Sequence, residues 1–216
     1  MKTDLTNKKV LITSGPTVEK IDPVRYISNF SSGKMGRALA KAFLNCGASV
    51  AIVTGPVNIE YPSGTEVINV TSACEMLEEC EKRFSKADII ICAAAVSDYR
   101  PKKTYAEKLK KGTSDEALKI IELVENPDIL KTLSLKKHEN QIVIGFSAET
   151  NDVVENAQKK LKRKGCDFIV ANDVSDNKVF GSNATSASII SPDGRVEAFK
   201  SGTKDELAQR IVEVCC

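Results

Sequence analysis

The chain has no tryptophan and few aromatic residues of any kind, 5% of its 216 residues. Base-stacking platforms for single-stranded nucleic acid are therefore not expected. Charge gives no case for nucleic acid either, because 31 Lys and Arg against 29 Asp and Glu leave a net charge of only +2. There is a single histidine, His138, in the polar run Lys136-Lys137-His138-Glu139-Asn140. It reads as a surface loop residue, so a histidine triad or histidine metal site is not available. The seven cysteines, Cys46, Cys74, Cys80, Cys92, Cys166, Cys215 and Cys216, are odd in number and contain no Cys-x-x-Cys. Several lie in apolar runs, where cysteine behaves as a small hydrophobe. A disulfide framework or a zinc site is therefore not expected, and a reducing cytoplasm is. The first residues, Met-Lys-Thr-Asp-Leu-Thr-Asn, hold no apolar core of a signal peptide. No apolar run approaches the roughly 18 residues of a membrane span.

What is present is an ordinary globular composition, 42% hydrophobic and 28% charged, long enough to bury a real core. The stretch Arg25-Tyr-Ile-Ser-Asn29-Phe-Ser31-Ser-Gly33-Lys34-Met-Gly36 is dense in hydroxyls, amides, glycines and cations. It runs directly into a helical pattern. A Ser-Ser-Gly loop opening a helix offers backbone N–H groups and the positive end of the helix dipole, an anion site to which Lys34 adds a cation. An ordinary polar cap is the alternative.

The rest of the chain alternates. Lys9–Thr13 reads as a first buried strand, followed by a long polar loop through Asp22-Pro23. A helix is expected from Lys34 to about Asn45, stopped at Cys46-Gly47. Strands follow at Ser49–Val53 and Val67–Val70. A capping box, Ser72 to Glu75, starts a helix to about Phe84. Ala87–Val96 is the most apolar run and reads as a central parallel strand. Residues 99–114 are basic and polar and read as a mobile flap. Leu118–Leu123 reads as a strand, and Asn126-Pro127 as the N-cap and first position of a helix. Ile142–Phe146 is a strand, Asp152 to about Lys164 a charged helix, and Phe168–Ala171 a strand ending at Asn172-Asp173. Ser175–Ser186 reads as a polar loop. Two strands around Pro192-Asp193-Gly194 form a hairpin over about 187–199, and a capping box at Thr203 to Glu206 opens the last helix.

Alternation of this kind predicts a single α/β domain over 1–216: a Rossmann-like, doubly wound, mostly parallel sheet with helices on both faces, plus the flap and the C-terminal β-hairpin. Ligands of such sheets bind outside the carboxyl ends of the strands. Asn29, Ser31, Lys34, Asp98, Lys108, Asn126 and Asn172 would converge there. A dinucleotide-binding dehydrogenase fits poorly. Its glycine fingerprint should follow the first strand directly, whereas Gly15 and Gly33-x-x-Gly36 are separated by the whole loop between them. The second strand ends Val53-Thr54-Gly55-Pro56, with no acidic residue for a ribose. No P-loop is present. Lys108 could neutralise phosphate charge during transfer, or it could be part of a solvated charge run. Lys160 and Lys164, four apart on a charged helix, read first as a solvated face. The residues alone reach an enzyme or binder of a phosphorylated small ligand.

Further motifs carry a resemblance. Ile12-Thr-Ser-Gly-Pro-Thr17, Ile21-Asp-Pro-Val-Arg-Tyr-Ile-Ser-Asn29, Ser31-Ser-Gly-Lys-Met-Gly36, Ala93-Ala-Ala-Val-Ser-Asp98, Asn126-Pro-Asp-Ile129, Gly145-Phe-Ser-Ala-Glu-Thr150 and Val170-Ala-Asn-Asp-Val-Ser175 resemble those of phosphopantothenate–cysteine ligase. This is the synthetase half of the bacterial bifunctional coenzyme A enzyme. The likeness runs from about Lys9 to Cys216. No flavin-dependent decarboxylase segment is seen, so the stand-alone form is the one resembled and no flavin is implied.

The resemblance implies that 4′-phosphopantothenate attacks the α-phosphate of CTP, releasing pyrophosphate and leaving an acyl-cytidylate. L-cysteine then displaces CMP. Mg²⁺ accompanies the triphosphate, with no ligand implied from the protein. Asn29 matches the asparagine that holds the acyl-cytidylate, and Lys108 the flap lysine at the phosphates, with Leu109 where isoleucine is usual. Ser31, Cys92, Ala93, Ala94, Asp98, Asn126, Pro127, Asp128, Ile129, Phe146, Lys160 and Lys164 match nucleotide-binding positions. Cys92 stands where the family more often has Ala or Gly. Asp22, Arg25 and Ala95, with Asn29, match substrate-binding positions, Asp22 and Arg25 near the pantothenate phosphate and reaching a partner subunit's site. Lys34 is an expected phosphate neighbour. A cytoplasmic homodimer is implied, with the hairpin near Ile189 and Phe199 as its pairing element. Eukaryotic relatives use ATP, which stays an alternative. A non-catalytic sensor of a phosphorylated metabolite and an NADP-linked reductase are the others.

Overall fold

In the computed structural model, which describes residues 3–112, 116, 119–173 and 184–216, the apolar runs become the strands of one sheet. In chain order the elements are β1 (Lys9–Ser14), β2 (Val18–Lys20), β3 (Tyr26–Ser28), α1 (Lys34–Asn45), β4 (Ser49–Thr54), β5 (Thr65–Asn69), α2 (Ala73–Phe84), β6 (Ile89–Cys92), β7 (Tyr99–Pro101), β8 (Leu123–Glu125), α3 (Ile129–Lys136), β9 (Ile142–Glu149), α4 (Val153–Lys164), β10 (Phe168–Asp173), β11 (Ala184–Ile190), β12 (Val196–Thr203) and α5 (Lys204–Cys215). Eight strands form the sheet in the order β12-β11-β10-β9-β6-β1-β4-β5. The ladders from β10 across to β5 are all parallel, while β11 and β12 add an antiparallel hairpin at one edge. The chain winds outward from β1 in both directions, so the topological switch point lies between β1 and β6. Doubly wound sheets open their ligand crevice at that point.

Alternate residues of each strand feed two cores. On one face Val10, Ile12, Ile52, Ile91 and Ile144 pack under α1 and α5, through Leu39, Phe43, Leu207 and Ile211. On the other, Leu11, Val53, Ile90, Val143 and Ile169 pack under α2, α3 and α4, through Met76, Leu133 and Leu161. Leu39, Phe43, Met76 and Leu133 are fully buried, and each contributes about 1.5–3 kcal/mol of transfer free energy. The free thiols of Cys46, Cys80, Cys166 and Cys215 belong to these cores, and burial pushes the Cys80 thiol up to about 12.

Local signals set the helix ends. α1 starts after Gly33 at φ 75, a left-handed position that costs glycine nothing. α2 is capped by Ser72, whose hydroxyl accepts from Glu75 N–H at 3.3 Å, and Glu75 reaches back to the N–H of Thr71 at 2.8 Å. α5 has the full reciprocal box of Thr203 and Glu206.

Six expectations are corrected. The polar loop after β1 contains an antiparallel ribbon, β2 with β3. The apolar run Ala87–Val96 forms a strand only over Ile89–Cys92, because the chain beyond Cys92 leaves the ladder to bond the β1 turn. Of the strand expected at Leu118–Leu123, Leu118 lies outside the described residues, and among the others the strand begins only at Leu123, pairs with β7, and leaves Ile120 78% exposed. Asn126 is not the cap of α3. Asp128 is, because the Asn126 amide is bonded elsewhere. In the expected loop Ser175–Ser186, Ala184–Ser186 already belong to β11, while 175–183 lie outside the described residues. The hairpin itself is longer than expected. Ile189 is buried in this chain's own core.

Candidate active site

At the switch point the segment 93–98 folds over the carboxyl end of β1 and is pinned there. Thr13 Oγ1 accepts from Ala94 N–H at 3.2 Å, Gly15 O from Ala95 N–H at 2.9 Å, and Thr17 Oγ1 from Ser97 N–H at 3.0 Å. Asn29 Nδ2 donates to Ala95 O at 3.1 Å, tying the Asn29–Gly33 loop to the same segment. Asn126 completes the frame. Its N–H donates to Asp98 O at 2.8 Å and its Nδ2 to Ser97 O at 2.8 Å, and its Oδ1 accepts from Arg100 at 3.1 Å. The Asn126 side chain therefore shapes the segment rather than standing open to a ligand.

Two lobes of one cleft open above this frame. The first, about 470 Å³, is walled by Thr13, Cys92, Ala94, Asp98, residues 126–130 and Phe146, with Lys160, Arg163 and Lys164 from α4. The second, about 540 Å³, is walled by residues 29–36, 93–96, 146–148 and Asn172, with Lys204 from α5. Ala94, Val96, Asp98, Phe146 and Lys160 border both.

The electrostatics of the first lobe are cationic but internally braced. Lys160 donates to Phe146 O at 3.0 Å. Burial, and then the like charge of Lys164, hold its ammonium below the ordinary lysine value. Lys164 pairs with Asp128, whose other oxygen accepts from Lys131 N–H at 3.0 Å. Burial alone would raise the Asp128 carboxyl, but those two donors outweigh it and hold it low. The Cys92 thiol is pushed well above its usual value by burial. It remains protonated at neutral pH and is a packing group, not a nucleophile.

The second lobe receives the N-terminus of α1. Gly33, Lys34, Met35 and Gly36 all border it, and the Gly33 cap supplies no side-chain acceptor to the first turn. A hydroxyl chain holds this turn from behind. Tyr61 donates to Ser14 Oγ at 2.9 Å, and Ser14 Oγ donates to Gly33 O at 3.3 Å. Phe30 stands 91% exposed at the mouth. Ser97 Oγ, Ser147 Oγ and Asn172 Oδ1, each on a residue of the cleft wall, are buried side-chain oxygens without a hydrogen-bond partner in the described structure. Such groups are costly unless something completes them.

Among the residues singled out from sequence, Asn29, Ser31, Lys34, Cys92, Ala93, Ala94, Ala95, Asp98, Asn126, Pro127, Asp128, Ile129, Phe146, Lys160, Lys164 and Asn172 all border this cleft. Asp22, Arg25 and Lys108 do not line either lobe. Asp22 is buried and its carboxylate is fully used within the chain, by Val24, Arg25 and Leu109. Lys108 is exposed in the flap. Sequence reading missed Arg163 and Lys204. Arg163 sits in the helix that reads as a solvated face and Lys204 just inside a capping box, and only the winding of the sheet turns those helix ends toward the crevice.

Comparison with known proteins gives a consistent pattern. The family described as DNA/pantothenate metabolism flavoprotein C-terminal domain matches residues 5–216. The coenzyme A biosynthesis bifunctional protein CoaBC of Vibrio parahaemolyticus is 45% identical over 210 residues, covering 97% of this chain and 52% of that protein. The protein of the same name from Borreliella burgdorferi is 43% identical, covering 97% of this chain and 53% of that one. The chain thus spans about half the length of these relatives. A crystal structure of the C-terminal domain of a CoaBC protein superimposes with a TM-score of 0.81 at 42% identity, covering 97% of this chain and 94% of that one.

Proposed function

Because the chain belongs to the DNA/pantothenate metabolism flavoprotein C-terminal domain family, we propose that it joins 4′-phosphopantothenate to L-cysteine in coenzyme A biosynthesis, using CTP. The observation that carries the reading is the division of the cleft. Of the nucleotide positions, Cys92, 126–129 and Lys164 border the first lobe, Ser31 and Ala93 the second with Asn29 and Ala95, and Ala94, Asp98, Phe146 and Lys160 border both, so the two lobes meet where the nucleotide and the acid would. A reaction between a nucleotide and an acid needs such a junction.

In the first step a carboxylate oxygen of the acid attacks the α-phosphorus of CTP. The bond to the β-phosphate breaks, pyrophosphate leaves, and an acyl-cytidylate remains. A carboxylate needs positioning more than activation. Asn29, fixed to Ala95 O, holds the acyl phosphate, and Lys160 at the junction and Lys108 from the flap meet the phosphate charge. In the second step the cysteine amine attacks the acyl carbon, loses a proton, and CMP leaves with the electrons of the broken C–O bond. Mg²⁺ enters as part of the co-substrate MgCTP. The ion is carried by the triphosphate, with no ligand asked of the protein. No step asks for a flavin. The reading includes a homodimer.

The test is pyrophosphate release with 4′-phosphopantothenate and each of the four nucleoside triphosphates. CTP alone is expected to support it, before cysteine is added and for one turnover. Release with ATP instead would correct the nucleotide. Binding of nucleotide without release would make the chain a sensor and defeat the reading.

A further inference from the structure

Arg100 lies in β7, behind the wall of the cleft. It borders neither lobe. It borders instead a separate hollow of about 240 Å³ beside the start of α2, with Lys20, Thr71 and Glu75. Its Nη1 group donates to Glu125 O at 2.6 Å and to Asn126 Oδ1 at 3.1 Å. A guanidinium can only donate, so it requires the oxygen of the Asn126 amide on its side. The other end of that amide, Nδ2, donates to Ser97 O at 2.8 Å, and a carbonyl can only accept. The two neighbours thus demand the same amide orientation from opposite sides.

Ser97 is held from its far side as well. Its N–H donates to Thr17 Oγ1 at 3.0 Å, and Thr17 is fully buried. The next residue, Asp98, borders both lobes, and its carbonyl accepts from Asn126 N–H at 2.8 Å. The wall at 97–98 is therefore clamped between the turn after β1 and the end of β8. The first of these clamps belongs to the large sheet, but β8 pairs only with β7, in a ribbon of two strands. Two strands alone hold a position weakly. The bonds from Arg100 carry a charge and are stronger than neutral ones, so they stiffen the end of the ribbon where Asn126 stands.

We infer that Arg100 is a positioning residue of the reaction: through the Asn126 amide it fixes the carbonyl of Ser97, and with it the place of Asp98 at the junction of the lobes, without touching either substrate. This inference rests on the ligase reading of the preceding section. Arg100 is not a phosphate ligand of the kind expected of Lys160 and Lys164, because it lines neither lobe and its Nη1 hydrogens are spent on Glu125 and Asn126.

The test is a double-mutant cycle in the full chain, with Arg100→Gln, Asn126→Ala and the pair, and with Arg100→Lys as the conservative variant. For each, kcat/KM for CTP is measured by pyrophosphate release, the Kd of CTP by calorimetry, and the unfolding midpoint on the same preparation. Arg100→Gln is expected to lower kcat/KM for CTP by about tenfold, the scale of one lost hydrogen bond to a charged group, and to raise the Kd in the same direction. Arg100→Lys should recover part of the loss. In the Asn126→Ala background the same Arg100→Gln change should cost less than about twofold, because its route to the wall is already cut. Should Asn126→Ala not fold, Asn126→Ser closes the cycle. Equal losses in both backgrounds overturn the inference, since Arg100 would then act without Asn126. A salt dependence of the CTP Kd that flattens in Arg100→Gln also overturns it, by making Arg100 a phosphate contact. So does a loss that disappears once rates are divided by the folded fraction, which would make Arg100 a structural residue only. A wild-type chain that binds CTP but releases no pyrophosphate would instead defeat the ligase reading, and the cycle in Kd would still decide whether Arg100 acts on the nucleotide lobe through Asn126.

Discussion

The carboxylate of Asp22 accepts the backbone N–H of Leu109 at 3.2 Å, and so fastens the residue next to Lys108 to the β2–β3 ribbon. The same carboxylate takes the N–H groups of Val24 and Arg25 at 2.8 Å each and Arg25 Nη1 at 2.6 Å. Arg25 Nη1 in turn donates to Leu109 O at 3.2 Å. Leu109 itself is buried, so the flap is anchored at its middle while Lys108 stays exposed.

This clasp should open in acid. Burial by itself would raise the Asp22 carboxyl, but the N–H groups of Val24, Leu109 and Arg25 and the Arg25 guanidinium outweigh it and leave the pKa lowered. A carboxyl depressed in the folded state contributes stability above its unfolded value, about 4, and loses it as pH falls through the folded value. Asp22→Asn mimics the loss at neutral pH, because one oxygen acceptor becomes an NH₂ donor facing other donors. Hydrogen exchange over residues 105–112 should speed up by about tenfold or more in the variant at pH 7. It should speed up in the wild type only below the ordinary carboxylate range. Equal protection in both proteins at pH 7 would mean that Leu109 is held by packing alone.

Lys108→Gln separates fold from chemistry. The side chain is exposed and leaves no cavity, so stability should change by less than about 0.5 kcal/mol. The loss of a cation at the transferring phosphate should slow pyrophosphate release by about 10²-fold. Unfolding midpoints and single-turnover rates measured on the same preparation check both halves. A wild-type rate would return Lys108 to a solvated charge run.

How far the sequence could be read depends on where each signal is local. The bounds of α1 and α2 follow from Gly33, Gly47 and the Ser72 cap, all within a few residues of the helix they end. The capping box at Thr203 is equally local and survives intact. The central strand was overestimated because Ala93–Val96 continue the apolar run of Ile89–Cys92 without a polar break, and only the long-range bonds to Thr13, Gly15 and Thr17 show why they leave the ladder. Asn126 looked like a cap because Asn-Pro is a good helix start. Its amide is instead committed to Ser97 and Arg100, and Asp128 two residues on takes the cap. Most of the cleft was legible because its residues cluster at strand ends, which apolar runs mark well. Lys204 was not, since α1 and α5 are brought together only by tertiary packing, with nearly the whole chain between them.

Gly36 tests that packing where the cleft is built. A Cβ at this position would lie 2.1 Å from Ser14 Oγ and 2.5 Å from Ser14 Cβ, so α1 can approach the end of β1 only with glycine here. Gly36→Ala should destabilise the fold by about 1–3 kcal/mol, as overpacking does, read from the denaturation midpoint. Ser14→Ala should not rescue it, because the Cβ clash remains. Ser14→Gly should recover a large part. Rescue by Ser14→Ala would show that the hydroxyl alone sets the distance.

Asn29→Asp tests the junction of the two lobes. Asn29 Nδ2 donates to Ala95 O at 3.1 Å, and the side chain is otherwise exposed to the cleft, so a nearly isosteric change should leave the fold intact. The carboxylate can only accept, and it would face the carbonyl oxygen of Ala95 with nothing to donate. It also adds a negative charge beside the acyl phosphate, where like charges at close range cost on the order of 1 kcal/mol or more once partly desolvated. The two ligands should feel this differently. The triphosphate keeps Lys160, Arg163 and Lys164 in the first lobe, so its binding should weaken by only about threefold. The acyl-cytidylate would have Asn29 as its direct partner, and its formation should slow by about 10-fold to 100-fold. Rapid-quench measurement with labelled 4′-phosphopantothenate, with and without cysteine, resolves formation of the intermediate from its transfer. If the variant forms and transfers the intermediate at the wild-type rate, Asn29 is a loop tie and the acyl phosphate is held elsewhere.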